Sequence, residues 1–259
     1  MLAKDVYYKS EQNLSNALMQ NMGFTDRSSP CHTCMLQKNC IISRIESTPE
    51  KGALHLSHRS TLIKDNKHLY FSGDQLQAIY IIKSGSFKSY TTNQKGDEQI
   101  IDFHLPGDIL GLDALPLHRF EYSAVALEAS SVCAVPAQQL EHLIDSLVPD
   151  WLMELMMGKL IQQQRNHSAL GKKNARRQIA SFILDQSENY RALGYSGKEL
   201  KLNMSRQDIG NYLGLASETI SRIFTRMQKE GLLKLDRKEI TIVDFENLSQ
   251  LADKTCLHN

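Results

Sequence analysis

Hydrophobic and polar residues alternate in short runs over roughly residues 52–135 of this 259-residue chain. The runs are LYFSG, AIYIIKSGSFKSYTT, EQIIDFHLPGDILGLDAL and EYSAVALEASSVCAVP, with turn residues such as Gly73-Asp74 and Pro106-Gly107 in and between them. Alternation with a period of two is typical of half-buried strands, and regularly spaced glycine turns are typical of antiparallel sheets. This region predicts an antiparallel sandwich or barrel.

After about residue 137 the pattern becomes helical. AQQLEHLIDSL predicts a short helix, and Pro149 opens a longer one that runs to about Gly171. Its apolar stripe has roughly heptad spacing and consists of Leu152, Met153, Met156, Leu160 and, after a polar stretch, Leu170. The helix could pack on its own domain or form the seam of a homodimer. Its length, its methionine content and its place between two domains favour the seam.

Further helices are predicted over residues 173–193 and, as a pair around Gly214, within 204–232. LLKLDRKEITIVD then predicts a hairpin, and FENLSQLAD predicts a final helix. Strands followed by helices indicate an α+β fold.

The helix pair lies in MSRQDIGNYLGLASETISRIFTRMQKEGLL. Ser205 and Asp208 resemble a capping box, and Gly214 allows a tight turn. The second helix is predicted from about Ser217 to Glu230. Its predicted inward residues are Ile220, Ile223 and Met227, and its predicted outward residues are Glu218, Ser221, Arg222 and Arg226. This arrangement indicates a helix-turn-helix.

The outward residues suit base reading. Arg222 can donate twice to guanine, Glu218 can accept from a cytosine amino group, and Ser221 can approach either type of edge. The predicted DNA contacts also include Ser205, Arg206, Ser217 and Arg226. An ordinary helical hairpin with a solvated charged face is the alternative. The turn glycine, the cap, the following hairpin and the local basicity together favour DNA.

The net charge of +1 hides an excess of Lys and Arg within residues 158–240, which suits a polyanion partner. No apolar run reaches the roughly 18 residues that a membrane span needs. The segment MLAKDVYYKSEQ lacks the apolar core of a signal peptide, so a cytoplasmic protein is expected. No Ser-His-Asp order, phosphate loop or paired-carboxylate motif indicates an enzyme.

Three of the five cysteines cluster in SSPCHTCMLQKNC, where Cys31, Cys34 and Cys40 are spaced C-x2-C-x5-C. The other two are Cys133 and Cys256. Disulfides are rare in the cytosol, so clustered thiols indicate metal or redox chemistry. The spacing alone leaves a structural zinc, an iron–sulfur cluster and unligated redox thiols open.

SRQDIGNYLGLASETISR and IKSGSFKSYTTNQKGDEQIIDFHLPGDILGLDAL resemble the FNR type of the cyclic AMP receptor protein/FNR superfamily of bacterial transcription regulators. The resemblance covers residues 31 to about 252. It implies an N-terminal cysteine segment, an antiparallel β-roll sensory domain, a long dimerisation helix and a winged helix-turn-helix. The expected divisions are 1–45, 46–147, 148–172, 173–252 and a tail at 253–259.

The resemblance implies one oxygen-labile [4Fe–4S] cluster per subunit, held by Cys31, Cys34, Cys40 and Cys133. Cys256 matches nothing in the family. It further implies an oxygen-responsive homodimer that binds double-stranded DNA at a TTGAT-N4-ATCAA-like palindrome. The alternative is a DNA-binding regulator with a structural zinc or redox thiols.

The loop NQKGDEQ, with Gly96 and Asp97 at its tip, resembles a surface that contacts RNA polymerase. Its alternative is a plain solvated hairpin loop. Cyclic nucleotide receptors of the superfamily bind the phosphate with an Arg-Ser or Arg-Thr pair, which is Tyr122-Ser123 here. Their Gly-Glu-Leu segment is replaced by Gly107-Asp108-Ile109. We therefore expect no cyclic nucleotide.

Three positions depart from the FNR pattern. Gln163 stands where the family has an acidic residue in the dimer helix, and His167 is a polar residue in the expected seam. Both are assigned to the dimer interface, with opposing expected effects on the monomer–dimer equilibrium. Ala216 replaces a hydroxyl residue at the start of the recognition helix, so Ser217 is expected to cap instead or the helix start to fray.

Overall fold

The computed structural model describes residues 34–37, 40, 42–43, 59–140, 153–154, 156–158, 160–161 and 174–253. The chain divides into two compact units. One comprises Met1–Thr91 with Phe103–Val148, and the other comprises Thr92–Asp102 with Pro149–Asn259. The predicted cluster ligand Cys31 and the predicted seam residues Leu152, Gln163 and His167 lie outside the described residues, as does Cys256.

The N-terminal half of the described chain folds into two antiparallel sheets of four strands, ordered β1-β8-β3-β6 and β2-β7-β4-β5. The strands are β1 (Arg59–Ile63), β2 (His68–Tyr70), β3 (Ala78–Ser84), β4 (Phe87–Thr92), β5 (Glu98–His104), β6 (Ile109–Leu110), β7 (Ser123–Ala126) and β8 (Ser130–Pro136). A single 3-10 turn, Leu112–Ala114, follows β6. The predicted antiparallel β-domain is confirmed.

The core of this β-roll is aliphatic along the central strands and aromatic at one place. Ile82, Phe87 and Val132 are fully buried, and Tyr70, Tyr80 and Phe120 are almost so. The first five residues of β3 are all buried, so this strand lacks the polar alternation of a one-sided strand. Hydrophobic burial of this extent is the main stabilising contribution to the domain.

The C-terminal part contains helices α1 (Ala175–Ala192), α2 (Arg206–Leu213), α3 (Ser217–Lys229) and α4 (Phe245–Ala252). A three-stranded sheet ordered β10-β11-β9 accompanies them, formed by β9 (Glu199–Lys201), β10 (Leu233–Asp236) and β11 (Glu239–Ile242). The predicted helices and hairpin are confirmed. Strand β9 was not predicted, because three residues carry no periodicity and become a strand only by pairing with β11.

Side-chain caps set the helix starts. Asn174 opens α1 by accepting a hydrogen bond from the Arg176 backbone N–H at 2.9 Å, and Asp244 opens α4 by accepting from that of Asn247 at 3.0 Å. Such caps satisfy amides that the first helical turn leaves unbonded. Helices α1 and α4 pack on one another, and Ile179, Ile183 and Leu248 are fully buried.

The described residues of the long linker segment, 153–154, 156–158 and 160–161, are helical. Their apolar side chains are unusually open: Met153 is 53% exposed, Met156 58% and Leu160 47%. Among the described residues, no helix has the length and apolar character that crossing a bilayer requires.

Candidate nucleic-acid interface and thiol site

The helix pair α2–α3 is held by a capping box and two glycines. The Asp208 backbone N–H donates to Ser205 Oγ at 3.0 Å, and the Ser205 backbone N–H donates to Asp208 Oδ2 at 2.9 Å. Gly214 ends α2 with φ of +67°. A Cβ on Gly210 would lie 2.5 Å from the carbonyl oxygen of Leu215, so only glycine lets the two segments approach this closely. The predicted capping box and turn are confirmed.

The inner face of α3 differs by one residue from the prediction. Ile220 and Met227 are fully buried as expected, but the third buried side chain is Phe224, and Ile223 is only half-buried. The prediction for Ile223 was wrong because spacings of three and four residues both continue an apolar stripe. Phe224, four residues after Ile220 and three before Met227, lies nearer its centre.

The outer face of α3 is polar and solvent-exposed. Glu218, Ser221, Arg222 and Arg226 are all exposed, as predicted, and Ser217 is half-buried. Ser221 donates its hydroxyl back to the Ser217 carbonyl at 3.0 Å, which leaves the hydroxyl oxygen to accept. Arg222 bonds the Glu218 carbonyl only through Nε, at 3.4 Å, so its Nη groups face solvent as donors.

The start of α3 has no side-chain cap. Ala216 occupies the N-cap position without a side-chain hydrogen bond, and Ser217 is the first helical residue. The expectation that Ser217 caps the helix is therefore wrong. The amides of Thr219 and Ile220 instead donate to the Ala216 carbonyl, at 3.0 and 3.1 Å.

An acidic residue at the end of α3 holds two arginines that sequence reasoning did not connect. Glu230 accepts from Arg226 Nε at 2.9 Å through Oε1 and pairs with Arg176 Nη2 through Oε2. The spacing of Arg226 and Glu230 along a helix could have revealed the first pair. Nothing local signals the second, since 54 residues separate its members.

A second basic group lies at the start of α2 and the tip of the β10–β11 wing. The Arg206 guanidinium stacks on the Phe224 ring, 3.8 Å from its centroid. Burial lowers the pKa of Arg206, but the ordinary arginine pKa is so high that the group remains charged at neutral pH. Arg237 and Lys238 line the same shallow cavity as Ser205 and Arg206. Three cations thus face one concave surface.

Of the predicted cluster ligands, three lie in the described residues. Cys34 is half-buried in a turn, Cys40 is 6% exposed, and Cys133 is half-buried on β8, opposite Ser60 of β1 and Ile81 of β3. None of these three thiols is recorded in a disulfide, which suits thiolate ligation. Across the described positions, no three possible metal-ligating side chains form one group.

Three aromatic rings pack together in the interior of the β-roll. Tyr70 stacks on Phe120 with centroids 3.7 Å apart, and Tyr80 lies 5.8 Å from Tyr70. Burial raises the pKa of Tyr70, and burial followed by the charge of Asp74 raises that of Tyr80 to about 12, so both phenols are neutral. A Cβ on Gly111 would already lie 2.8 Å from the Phe120 ring.

Two polar residues, at positions that bind the nucleotide in cyclic nucleotide receptors, form hydrogen bonds within the roll. Ser123 is buried and accepts from the Ser72 backbone N–H at 2.9 Å. Asp108 accepts from the Leu105 backbone N–H, also at 2.9 Å. Tyr122 is half-buried. A bound phosphate would find a tyrosine at the position where the receptors supply a guanidinium.

The sequence matches two domain families: the Cyclic nucleotide-binding domain over residues 61–146 and the Crp-like helix-turn-helix domain over residues 177–251. It is 39% identical over 227 residues to the Fumarate and nitrate reduction regulatory protein of Escherichia coli K12, covering 87% of this chain and 91% of that protein. The chain belongs to the FNR family. It is also 38% identical to Electron transport regulator A of Shewanella oneidensis MR-1, over 86% of this chain and 90% of that one.

The FNR-family fold is also found among solved structures. FixK2 from Bradyrhizobium japonicum aligns with a TM-score of 0.69 and 26% identity, over 78% of this chain and all of that chain. The predicted α+β architecture of β-roll and C-terminal helix-turn-helix is thereby confirmed. This FNR-family protein is a transcription regulator with a DNA-binding domain, and not an enzyme.

Proposed function

We propose that this FNR-family regulator is an oxygen-responsive homodimer that reads a TTGAT-N4-ATCAA-like palindrome while each subunit holds an intact [4Fe–4S] cluster. The observation that carries the proposal is the outer face of α3, where Glu218, Ser221 and Arg222 point to solvent from one helix face. A helix of this width fits the major groove, where those side chains can address base edges directly.

Each side chain has a role in base reading. The Nη groups of Arg222 donate in parallel to O6 and N7 of guanine, and Glu218 accepts from a cytosine amino group. Ser221, with its oxygen available, accepts from a base edge. One guanine and one cytosine on opposite strands fit the central G·C pair of a TTGAT half-site.

In this proposal, basic side chains beside α2 and along α3 contact the DNA phosphates. Arg206, Arg237 and Lys238 line the cavity beside α2, while Arg226 lies along α3 with its side chain 67% exposed. Ser205 and Ser217, at the starts of the two helices, add hydroxyl donors. Such contacts fix the orientation of the protein on the duplex without selecting a sequence.

The dimer seam is assigned to the long helix. Met153, Met156 and Leu160 are each about half exposed in one chain, which leaves an apolar stripe for a second copy to cover. Leu152, Gln163 and His167 are assigned to the same seam from the sequence. Two copies would place two α3 helices on half-sites about one helical turn apart.

The cluster is assigned to Cys31, Cys34, Cys40 and Cys133. The thiols of Cys34, Cys40 and Cys133 fit the thiolate donors that such clusters require. When bound, the cluster supplies the oxygen sensitivity. The thiols of this chain hold it, and the burial of Cys40 limits solvent access to one ligand. A cytoplasmic location is part of the proposal.

Cyclic nucleotides are excluded from this function. The stacked Tyr70 and Phe120 occupy the roll interior, and Tyr122 supplies no positive charge for a phosphate. The exposed loop around Gly96 and Asp97 is assigned to contact with RNA polymerase.

The deciding experiment is a spectrum of protein purified without oxygen and then exposed to air, with iron and zinc assayed on the same sample. About four iron atoms per chain, as a cubane on four thiolates contains, and a visible absorbance that decays in air are expected. Anaerobic protein should bind the palindromic duplex, and the aerated sample should bind it weakly. A colourless protein with one zinc per chain would instead establish the zinc-stabilised alternative.

A further inference from the structure

One asparagine of the helix-turn-helix forms backbone-like hydrogen bonds with a β-strand. The segment Thr92–Asp102, called here the arm, belongs to the same compact unit as the helix-turn-helix. The Ile100 backbone N–H donates to Asn211 Oδ1 at 2.7 Å, and Asn211 Nδ2 donates to the Glu98 carbonyl at 2.6 Å. Gln99 Nε2 adds a bond to the Asn211 carbonyl at 3.1 Å.

This geometry is that of strand pairing. Strand β5 stands at the edge of its sheet, ordered β2-β7-β4-β5, so within the described part of the chain no strand pairs with one side of its backbone. The Glu98 carbonyl and the Ile100 N–H are the two groups that a single residue of a parallel neighbouring strand would bond. A carboxamide carries the same donor and acceptor as a peptide group, so Asn211 replaces one residue of that missing strand.

The helix side of the contact is rigid. Asn211 lies in α2 between the capping box and Gly214. The neighbouring residue Tyr212 interacts electrostatically with Asp102 of the arm. Burial is the main cause of the raised pKa of Tyr212, and the charges of Asp102 and then Asp185 raise it further. Two consecutive residues of α2 thus lie against the arm.

The far end of the arm is also ordered. Asn93 Oδ1 accepts from the backbone N–H groups of Lys95 and Asp97 at 2.8 and 3.0 Å, and Asn93 Nδ2 donates to Asp97 Oδ2 at 2.9 Å. Gly96, with φ of +86°, completes the turn. Lys95 and Asp97 remain exposed at the tip, where a protein partner could pair with both charges.

We propose that Asn211 is a positioning residue that seats the arm on α2 and thereby presents the arm's charged tip in a fixed place relative to DNA bound at α3. The contact between Asn211 and the arm, called here the seat, is inferred from the hydrogen bonds alone. Its consequence for transcription rests on the proposed function, in which the tip contacts RNA polymerase.

The test compares full-length wild-type protein with Asn211→Asp and Asn211→Ala, all purified without oxygen. The aspartate keeps the shape of asparagine but loses the donor to the Glu98 carbonyl. Gln250→Glu, at an exposed position on α4, makes the same amide-to-carboxylate change without touching the arm. Amide hydrogen exchange at Ile100 is measured first, followed by affinity for the palindromic duplex and transcription from a promoter that carries it.

We expect exchange at Ile100 to accelerate by about two- to tenfold in Asn211→Ala, which loses the acceptor of the Ile100 N–H, as the loss of about one hydrogen bond predicts. The acceleration should be smaller in Asn211→Asp, whose carboxylate can still accept from Ile100, and exchange should stay unchanged in Gln250→Glu. Duplex affinity should change less than about threefold, because no base contact is removed. Transcription should fall severalfold.

Unchanged exchange at Ile100 would overturn the seat. Faster exchange with unchanged transcription would overturn the positioning role. Should the variants not fold, wild-type protein decides: an Ile100 amide that exchanges like an unstructured peptide refutes the proposal. The exchange measurement needs neither DNA nor polymerase, so a failure of the proposed function would be recognised separately.

Discussion

The interior of the β-roll and the outer face of α3 use polar chemistry in opposite ways. In the roll, Tyr70, Tyr80 and Phe120 are buried together, and the tyrosines remain neutral because burial raises their pKa. On α3, Arg222 and Arg226 remain exposed and charged. One region is closed and apolar, and the other is open and cationic.

This difference shows that the name of a matched domain family does not by itself determine what the domain binds. The roll matches a family described as a Cyclic nucleotide-binding domain, yet it has a tyrosine, Tyr122, in the place of an arginine that could bind a phosphate. The C-terminal domain matches a helix-turn-helix family and exposes Glu218, Ser221 and Arg222, the side chains for which base reading is proposed. Fold follows from the pattern of buried residues, whereas function depends on a few particular side chains.

The largest effect is expected from opening the closed region. Phe120→Ala removes a ring that stacks on Tyr70 and should lower the free energy of unfolding by about 3–5 kcal/mol. Urea denaturation measures this, with Phe71→Ala as the control because Phe71 is 52% exposed. Millimolar cyclic AMP should not raise the melting temperature of Phe120→Ala. Stabilisation by the nucleotide would contradict the contrast drawn between the two regions.

Removing charge from the open region should affect binding and leave folding intact. Arg222→Ala should weaken binding to the palindromic duplex by about 1–3 kcal/mol, which is about fivefold to more than a hundredfold, because a bidentate base contact is lost. Fluorescence anisotropy with palindromic and scrambled duplexes measures the difference. Arg119→Ala, an exposed arginine of the roll, is the matched control. Equal losses on both duplexes would assign Arg222 to the phosphates instead.

The two helix starts of the reading domain offer a smaller, internal comparison. Ser205→Ala removes the cap of α2 and should cost about 1 kcal/mol of unfolding free energy. Ala216→Ser supplies the cap that α3 lacks, on an extended backbone that suits it, and should stabilise by about 0.5–1 kcal/mol. Thermal unfolding measures both. If Ala216→Ser is destabilising, the start of α3 is already satisfied by other bonds.

The smallest effect concerns Glu230. Glu230→Gln releases Arg226 and Arg176 from a carboxylate, so affinity for palindromic and scrambled duplexes should rise together by a few fold. The change is small because exposed ion pairs contribute only about 0–1 kcal/mol. Titrations at several salt concentrations should show a steeper dependence, because more cationic charge faces phosphate. Glu246→Gln, an exposed acid on α4, serves as control.

Local patterns were sufficient for most of the fold. Alternation predicted the strands of the roll, and the Ser205–Asp208 spacing with Gly214 predicted how α2 begins and ends. These features depend on residues close in sequence. Strand β9 was missed because its three residues carry no pattern that indicates pairing with β11.

The candidate site was predictable to the same degree. The exposed residues of α3 followed from helical periodicity, with Phe224 replacing Ile223 on the inner face. The partners of those residues did not follow. Glu230 meets Arg176 across 54 residues, and Asn211 meets Ile100 across 111. Such contacts form only when distant segments meet in the folded chain. The local sequence around either residue does not indicate which residue it will contact.

The close approach at Gly210 has a practical consequence for redesigning the sequence preference of this regulator. Any side chain there would collide with the Leu215 carbonyl and change the angle at which α3 leaves the turn. A mutagenesis library should therefore randomise Glu218, Ser221 and Arg222 while Gly210 remains fixed. Variants from such a library would differ in base preference while the geometry of the helix pair stays the same. Selection would then compare base recognition among folded proteins.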